Sequence, residues 1–188
     1  LFIGLLAIGI SSAIAAVFGL VTAYYKGLAD LGVVVLSDSI QAIPAILLLI
    51  LMSVIFNDHW IGQFYNGGLL IALVFGFVYW PGLWRAVRGP AFQVSEQEWV
   101  DAARSYGQRA DRTMRKHMLP YILGYLLVYG SLTIGGIIIT TAALSFLGIG
   151  INPPTPEWGR AVADGRDYVA TQSWHIAFIP GVLVVLVV

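Results

Sequence analysis

Apolar residues run along this chain in long blocks. No Asp, Glu, Lys or Arg occurs from Leu1 to Tyr25, Ser39 to Asn57, His59 to Trp84, Met118 to Pro156 or Tyr168 to Val188. A helix of roughly 20 mainly apolar residues crosses the ~30 Å hydrocarbon layer of a bilayer, and each block is that long or nearly so. The pattern predicts spans over about Phe2–Tyr25, Val33–Phe56 and Leu69–Trp84, another from Pro120 to about Thr141, and a last one beginning near His175. Backbone in hydrocarbon must satisfy its own hydrogen bonds, and unbroken runs such as Ala45–Leu51 lack the alternation of a membrane β-strand. The fold class expected is all-α: a polytopic helical membrane protein, about five transmembrane helices, in a single transmembrane domain over 1–188.

Within the spans, Ser11, Ala15, Gly19 and Ala23 recur every four residues, which lines small side chains along one helical face and lets a neighbour approach closely. Ordinary packing inside the subunit is the reading preferred for them. Gly124, Gly130, Gly135 and Gly136 suggest close contacts or flexibility in the fourth span. Pro44 should kink the second span, because proline removes a backbone donor. Trp80-Pro81-Gly82 through Trp84 reads as an interfacial belt closing the third. Asn57–Gly68 reads as a loop, Asn152–Gly159 as a rigid proline turn, and Arg160–Trp174 as polar with a short amphipathic helix.

Composition sharpens the picture. Of 188 residues, 59% are hydrophobic and 11% charged, against about 25% charged in a soluble domain. Absence of cysteine excludes disulfides and thiolate metal sites. Ends that fall inside apolar runs, with no initiating Met, suggest a piece of a longer protein. The charge is neutral in total but unevenly placed. Arg85–Pro120 holds seven of the ten cations and four of the ten acids. Short Lys/Arg-rich loops stay on the cytoplasmic side, so 85–120 is expected to be cytoplasmic.

Inside that loop, Ser95-Glu96-Gln97-Glu98 has a capping-box pattern, with a hydroxyl three residues before a carboxylate. It predicts a helix over Glu96–Tyr106, with Trp99, Ala102, Ala103 and Tyr106 on one face and Gly107 ending it in a left-handed turn. A second short helix, Asp111–Met118, would be stopped by Pro120. The result is a helix–turn–helix whose small residues suit a protein groove better than lipid, although cations near anionic lipid gain roughly 1 kcal/mol each.

Asp101-Ala102-Ala103, three residues, Gly107, nine residues, then His117-Met118-Leu119-Pro120 resembles the EAA loop of ATP-binding cassette importer permeases. Asp101 stands where the pattern has Glu, and His117 where it has Ile; the His is familiar in the dipeptide, oligopeptide and nickel branch. Gly27–Asp30, Asp38–Pro44, Ala143–Gly148 and Pro153–Gly159 are similar to that branch in the same order. The resemblance implies a multi-pass permease of a prokaryotic plasma (inner) membrane. By that resemblance it would carry no catalytic residues and bind no cofactor, with ATP used by partner subunits. Its partners would be a second permease subunit, two ATP-binding cassette ATPases, an external solute-binding protein and membrane lipid, with no nucleic acid. Asp101, Ala102, Ala103, Gly107, His117, Leu119 and Pro120 would form the ATPase-coupling loop. Peptides are the leading substrate and nickel the next.

Other residues stay open between two roles. Asp38 could line a pathway, as acids near membrane helices often do, or anchor an interface or bond between helices. Glu157 and Trp158 could touch the binding protein or brace the turn. His59, His117 and His175 show no metal-ligand spacing, Gly148 and Gly150 lack the Lys-Ser/Thr of a phosphate loop, and Ser145 has no base in view. A secondary transporter or channel would need polar residues deep in its spans, which are nearly absent. An intramembrane enzyme would need a paired constellation not visible here. A membrane scaffold would leave the loop spacing unexplained.

Overall fold

The computed structural model describes residues 2–57, 68–148, 156–169 and 173–188. In chain order its helices are α1 (Phe2–Tyr25), α2 (Gly27–Gln41), α3 (Ala45–Asn57), α4 (Gly68–Ser95), α5 (Glu98–Ser105), α6 (Ala110–Thr113), α7 (Leu119–Phe146), α8 (Trp158–Gly165) and α9 (His175–Val187). A π-helical turn, Met114–Met118, joins α6 to α7, and a 3-10 turn, Arg166–Tyr168, follows α8. No strand occurs among the described residues, in keeping with the all-α class. By length and composition α1 and the stretch Ala110–Phe146 can each cross a bilayer, and α2 with the start of α3 adds a third if that pair is one broken span. The loop expected at 57–68 and the proline turn lie mostly outside the described residues.

Three boundaries differ from the sequence pattern, each for a physical reason. The second span is two helices, because α2 stops at Gln41 and α3 begins at Ala45, just past Pro44. Pro44 has no N–H to carry the α2 ladder onward, and its carbonyl instead accepts from Leu47 and Leu48 in the new helix. The third span does not close at Trp80–Trp84. α4 continues through Pro81 and Pro90 to Ser95, and both indoles are core, each 1% exposed. The Phe18 and Trp80 ring centroids lie 4.8 Å apart. Finally, Pro120 does not stop the second short helix. The π turn relays it into α7, with Leu119 N–H reaching back five residues to the Met114 carbonyl. A proline ring clashes with the carbonyl four residues before it; here that carbonyl, Lys116, sits in the widened turn.

The chain forms two compact units. One, the charged unit, comprises 9–43 and 77–131. The other, the glycine unit, comprises 1–8, 44–76 and 132–188. In the charged unit the small-residue face of α1 is internal: Ser11, Ala15 and Ala23 are fully buried, and a Cβ on Gly19 would lie 3.3 Å from Val87 of α4. In the glycine unit α8 touches its neighbours through backbone. A Cβ on Gly159 would overlap the Ala142 backbone of α7, and one on Gly165 would lie 2.7 Å from the Ala177 nitrogen of α9. Gly135 approaches Val188, whereas Gly124 and Gly136 face open space. An apolar groove of about 680 Å³ runs along α9, lined by Val169, Trp174, Phe178, Val182 and Val185 among others.

Candidate functional site

The helix–turn–helix expected between the spans is present, built from α5, α6 and the π turn, which contact one another. Its start is displaced from the expected one. Ser95 is the last residue of α4, buried, and its hydroxyl donates to the Phe92 carbonyl at 2.8 Å. The cap of α5 is Gln97, in extended conformation and without a side-chain capping bond; its Nε2 donates instead to the Gln93 carbonyl at 3.3 Å. Glu98 and Asp101 occupy the first turn and Arg104 the last, which complements the helix dipole. The end is as expected. Gly107 has φ +71°; its N–H donates to the Arg104 carbonyl at 2.9 Å, and Gln108 N–H to the Ala103 carbonyl at 3.0 Å. This pair of bonds is the Schellman closure, which glycine permits because it pays no Cβ penalty there.

The apolar residues of α5 divide differently from the single face expected. Val100 and Ala103 point inward and are buried, as are Thr113 of α6 and Met118 of the π turn. Trp99, Ala102 and Tyr106 are exposed, Trp99 at 50% and Tyr106 at 91%. Ala103 is therefore an inner packing residue, and the outward surface is Trp99–Ala102–Tyr106. Asp101 is exposed and lies 3.4 Å from Arg104. His117 and Leu119 are half-buried, and Pro120 is exposed on α7.

Contacts that the sequence left unassigned fasten this unit together. At the corner between α1 and α2, Lys26 and Gly27 both have positive φ, 53° and 50°. Lys26 Nζ donates to Glu96 Oε1 at 3.0 Å. Asp30 accepts two bonds from Arg88, at 2.8 and 2.5 Å, and the Arg88 guanidinium also lies against Trp84 and Phe92 of its own helix, 5.8 and 5.1 Å from the ring centroids. Asp38 pairs with Arg85, which also bonds Gln41; this is a bond between helices, one of the roles left open for Asp38. The Arg104 guanidinium lies 4.5 Å from the Tyr24 ring centroid and donates to the Tyr24 carbonyl at 3.4 Å. The available signal was the excess of cations in 85–120 facing Asp30 and Asp38 elsewhere, but their pairing is invisible without the fold.

In the glycine unit, Glu157 caps α8 by accepting from Arg160 N–H at 2.8 Å. Trp158, the first residue of α8, is half-buried. Among the described residues, no three His, Cys, Asp or Glu come together as a metal site would need.

Residues 15–188 match the family described as "Binding-protein-dependent transport system inner membrane component". A Brucella suis protein named as a peptide transport system permease is 36% identical over 186 residues, 99% of this chain and 60% of that protein. The oligopeptide transport system permease protein of Haemophilus influenzae is 29% identical over 178 residues, 95% of this chain and 55% of that one. The dipeptide transport system permease protein of Bacillus subtilis is 30% identical over 186 residues, 99% and 56%. The chain thus spans less than two thirds of the length of these relatives. With a family match over nearly all its length, on a helical fold with membrane-length apolar helices, this chain belongs to the inner membrane components of binding-protein-dependent transport systems.

Proposed function

We propose that this chain is the membrane-spanning part of an ATP-driven peptide importer, and that the α5–α6 loop faces the cytoplasm and docks an ATPase subunit. The observation that carries this reading is the division of α5. Val100 and Ala103 hold the helix to its own fold, while Trp99, Ala102 and Tyr106 present an aromatic surface around a small residue. An exposed Trp–Tyr pair is the kind of anchor on which partner affinity concentrates. The chain itself would hydrolyse nothing; ATP would be spent on two partner ATPases, a second permease would complete the pathway, and an external binding protein would deliver the solute. Peptides are favoured as the solute because the relatives above are named as peptide, oligopeptide and dipeptide permeases.

A docked ATPase does work on this chain only if it binds the two conformations of the loop differently. The stiffness of α5, closed by the Gly107 turn, suits it to carry such a bias.

The test uses the full-length permease reconstituted with its ATPase and binding protein. Trp99→Ala should weaken ATPase binding by roughly thirtyfold, the size of a hot-spot anchor. Ala102→Arg should abolish ATP-dependent peptide uptake while leaving the protein folded, since Ala102 is exposed. Normal uptake by Ala102→Arg would falsify the docking role. A hydrolysis-dead ATPase should stop uptake; unchanged uptake would identify a channel or secondary transporter instead.

A further inference from the structure

We infer that Arg104 and Tyr24 are positioning residues that carry motion of the docking helix into the α1–α2 corner, and that Asp30–Arg88 makes this corner stiff enough to follow. The inference rests on the ATPase-docking reading of α5. Arg104 sits in the last turn of α5, just before the Gly107 closure, and is its reach toward α1. It covers the face of the Tyr24 ring and bonds the Tyr24 carbonyl, so it grips both side chain and backbone of the last turn of α1. Two residues on, Lys26 and Gly27 turn the chain sharply with positive φ. A non-glycine residue in that region carries strain of roughly 1–3 kcal/mol and persists only where its surroundings hold it.

Two further ties flank the turn and differ in strength. Lys26–Glu96 joins side chains that are 43% and 66% exposed, and such pairs contribute little and are screened by salt. Asp30–Arg88 is forked, its carboxylate is 18% exposed, and Trp84 and Phe92 flank the guanidinium. A planar fork of this kind fixes orientation as well as distance. The start of α2 is thus pinned to α4, and the end of α1 is pinned to α5. The corner between them is strained and short. Displacement of α5 must then either drag the corner or break the Arg104–Tyr24 contact.

The experiment uses the complete transporter in lipid nanodiscs, with spin labels on Leu28→Cys and Ser105→Cys, both exposed positions. In the parent protein the label-to-label distance should be the same in the nucleotide-free and the vanadate-trapped states, because corner and helix move together. In Tyr24→Leu, which leaves α5 untouched, the distance should change between states, and peptide imported per ATP hydrolysed should fall roughly two- to fivefold, the worth of one half-exposed cation–π contact. Tyr24→Phe keeps the ring and should restore parent behaviour, which a merely destabilised fold would not predict. A parent distance that already changes between states, or Tyr24→Leu with an unchanged import-to-hydrolysis ratio, overturns the linkage. If the parent chain binds no ATPase at all, it is the docking reading that fails, and the linkage with it.

Discussion

The charged unit and the glycine unit hold helices together by opposite means. In the charged unit the ties span long stretches of sequence and are made by side chains: Lys26 with Glu96, Asp30 with Arg88, Asp38 with Arg85. Among the described residues of the glycine unit the ion pairs are local, Arg160 with Asp164 and Arg166 with Asp167, and helices meet where Gly159 and Gly165 let backbone approach backbone. Apolar helices gain little from burial when their surroundings are equally apolar, so close packing of small residues takes over. Ion pairs between side chains fix partner and orientation instead. The glycine unit adds close backbone contacts between helices; the charged unit adds to its own packed core a few directional bonds, each of which can be broken singly.

That contrast can be broken first in the glycine unit. Gly159→Leu should have the largest effect, because even the first added carbon overlaps the Ala142 backbone. Overpacking costs about 1–3 kcal/mol and sometimes more, and a backbone neighbour cannot yield as a side-chain tip can. Thermal unfolding of the purified protein should show a clear drop, and an unchanged midpoint would contradict the approach of α8 to α7.

Asp30→Ala comes next. It strands a partly buried Arg88, and leaving such a charge unpaired should cost about 1–3 kcal/mol, below the value for full burial because Arg88 is 40% exposed. The Asp30→Ala, Arg88→Gln double variant should recover part of this loss. Strict additivity of the two would show the pair uncoupled.

Gly107→Val should cost about 1–2 kcal/mol through strain alone, since the site is left-handed although the space around it is open. Gly107→Asn, which tolerates that region, should be milder. Equal losses would point to packing instead.

The smallest effect should come from Asp38→Asn. Its pair with Arg85 has side chains 58% and 48% exposed and should contribute about 0–1 kcal/mol, fading with added salt. A large, salt-independent loss of transport in that variant would instead make Asp38 part of the pathway.

Much of the site was legible along the chain, and the misses are instructive. Gly107 could be read because a left-handed turn is a demand of local backbone geometry, which glycine meets anywhere. Ser95 could not. Its capping pattern was real, but α4 runs on to Ser95, whose hydroxyl donates back to the Phe92 carbonyl instead of capping a new helix. Trp80 and Trp84 looked like an interfacial belt by their position in sequence, yet Phe18 of α1 and the rest of the core enclose them. Helical periodicity placed Trp99, Ala102, Ala103 and Tyr106 together within about a third of a turn. It could not tell which edge of that arc packs inward, and burial separates Ala103 from the others.

The sequence by itself determined the helical membrane class, the uneven charge, the left-handed turn at Gly107, and a disturbance of the second span at Pro44, which the structure makes a full break. Each of these follows from local chemistry: hydrocarbon thickness, backbone donors, and the φ that glycine alone adopts freely. Tertiary structure decided which carboxylate meets which arginine, which face of α5 is left outside, and how close α8 comes to its neighbours. Those depend on residues tens of positions apart, and only packing brings them within the few ångströms over which a hydrogen bond or a backbone contact acts.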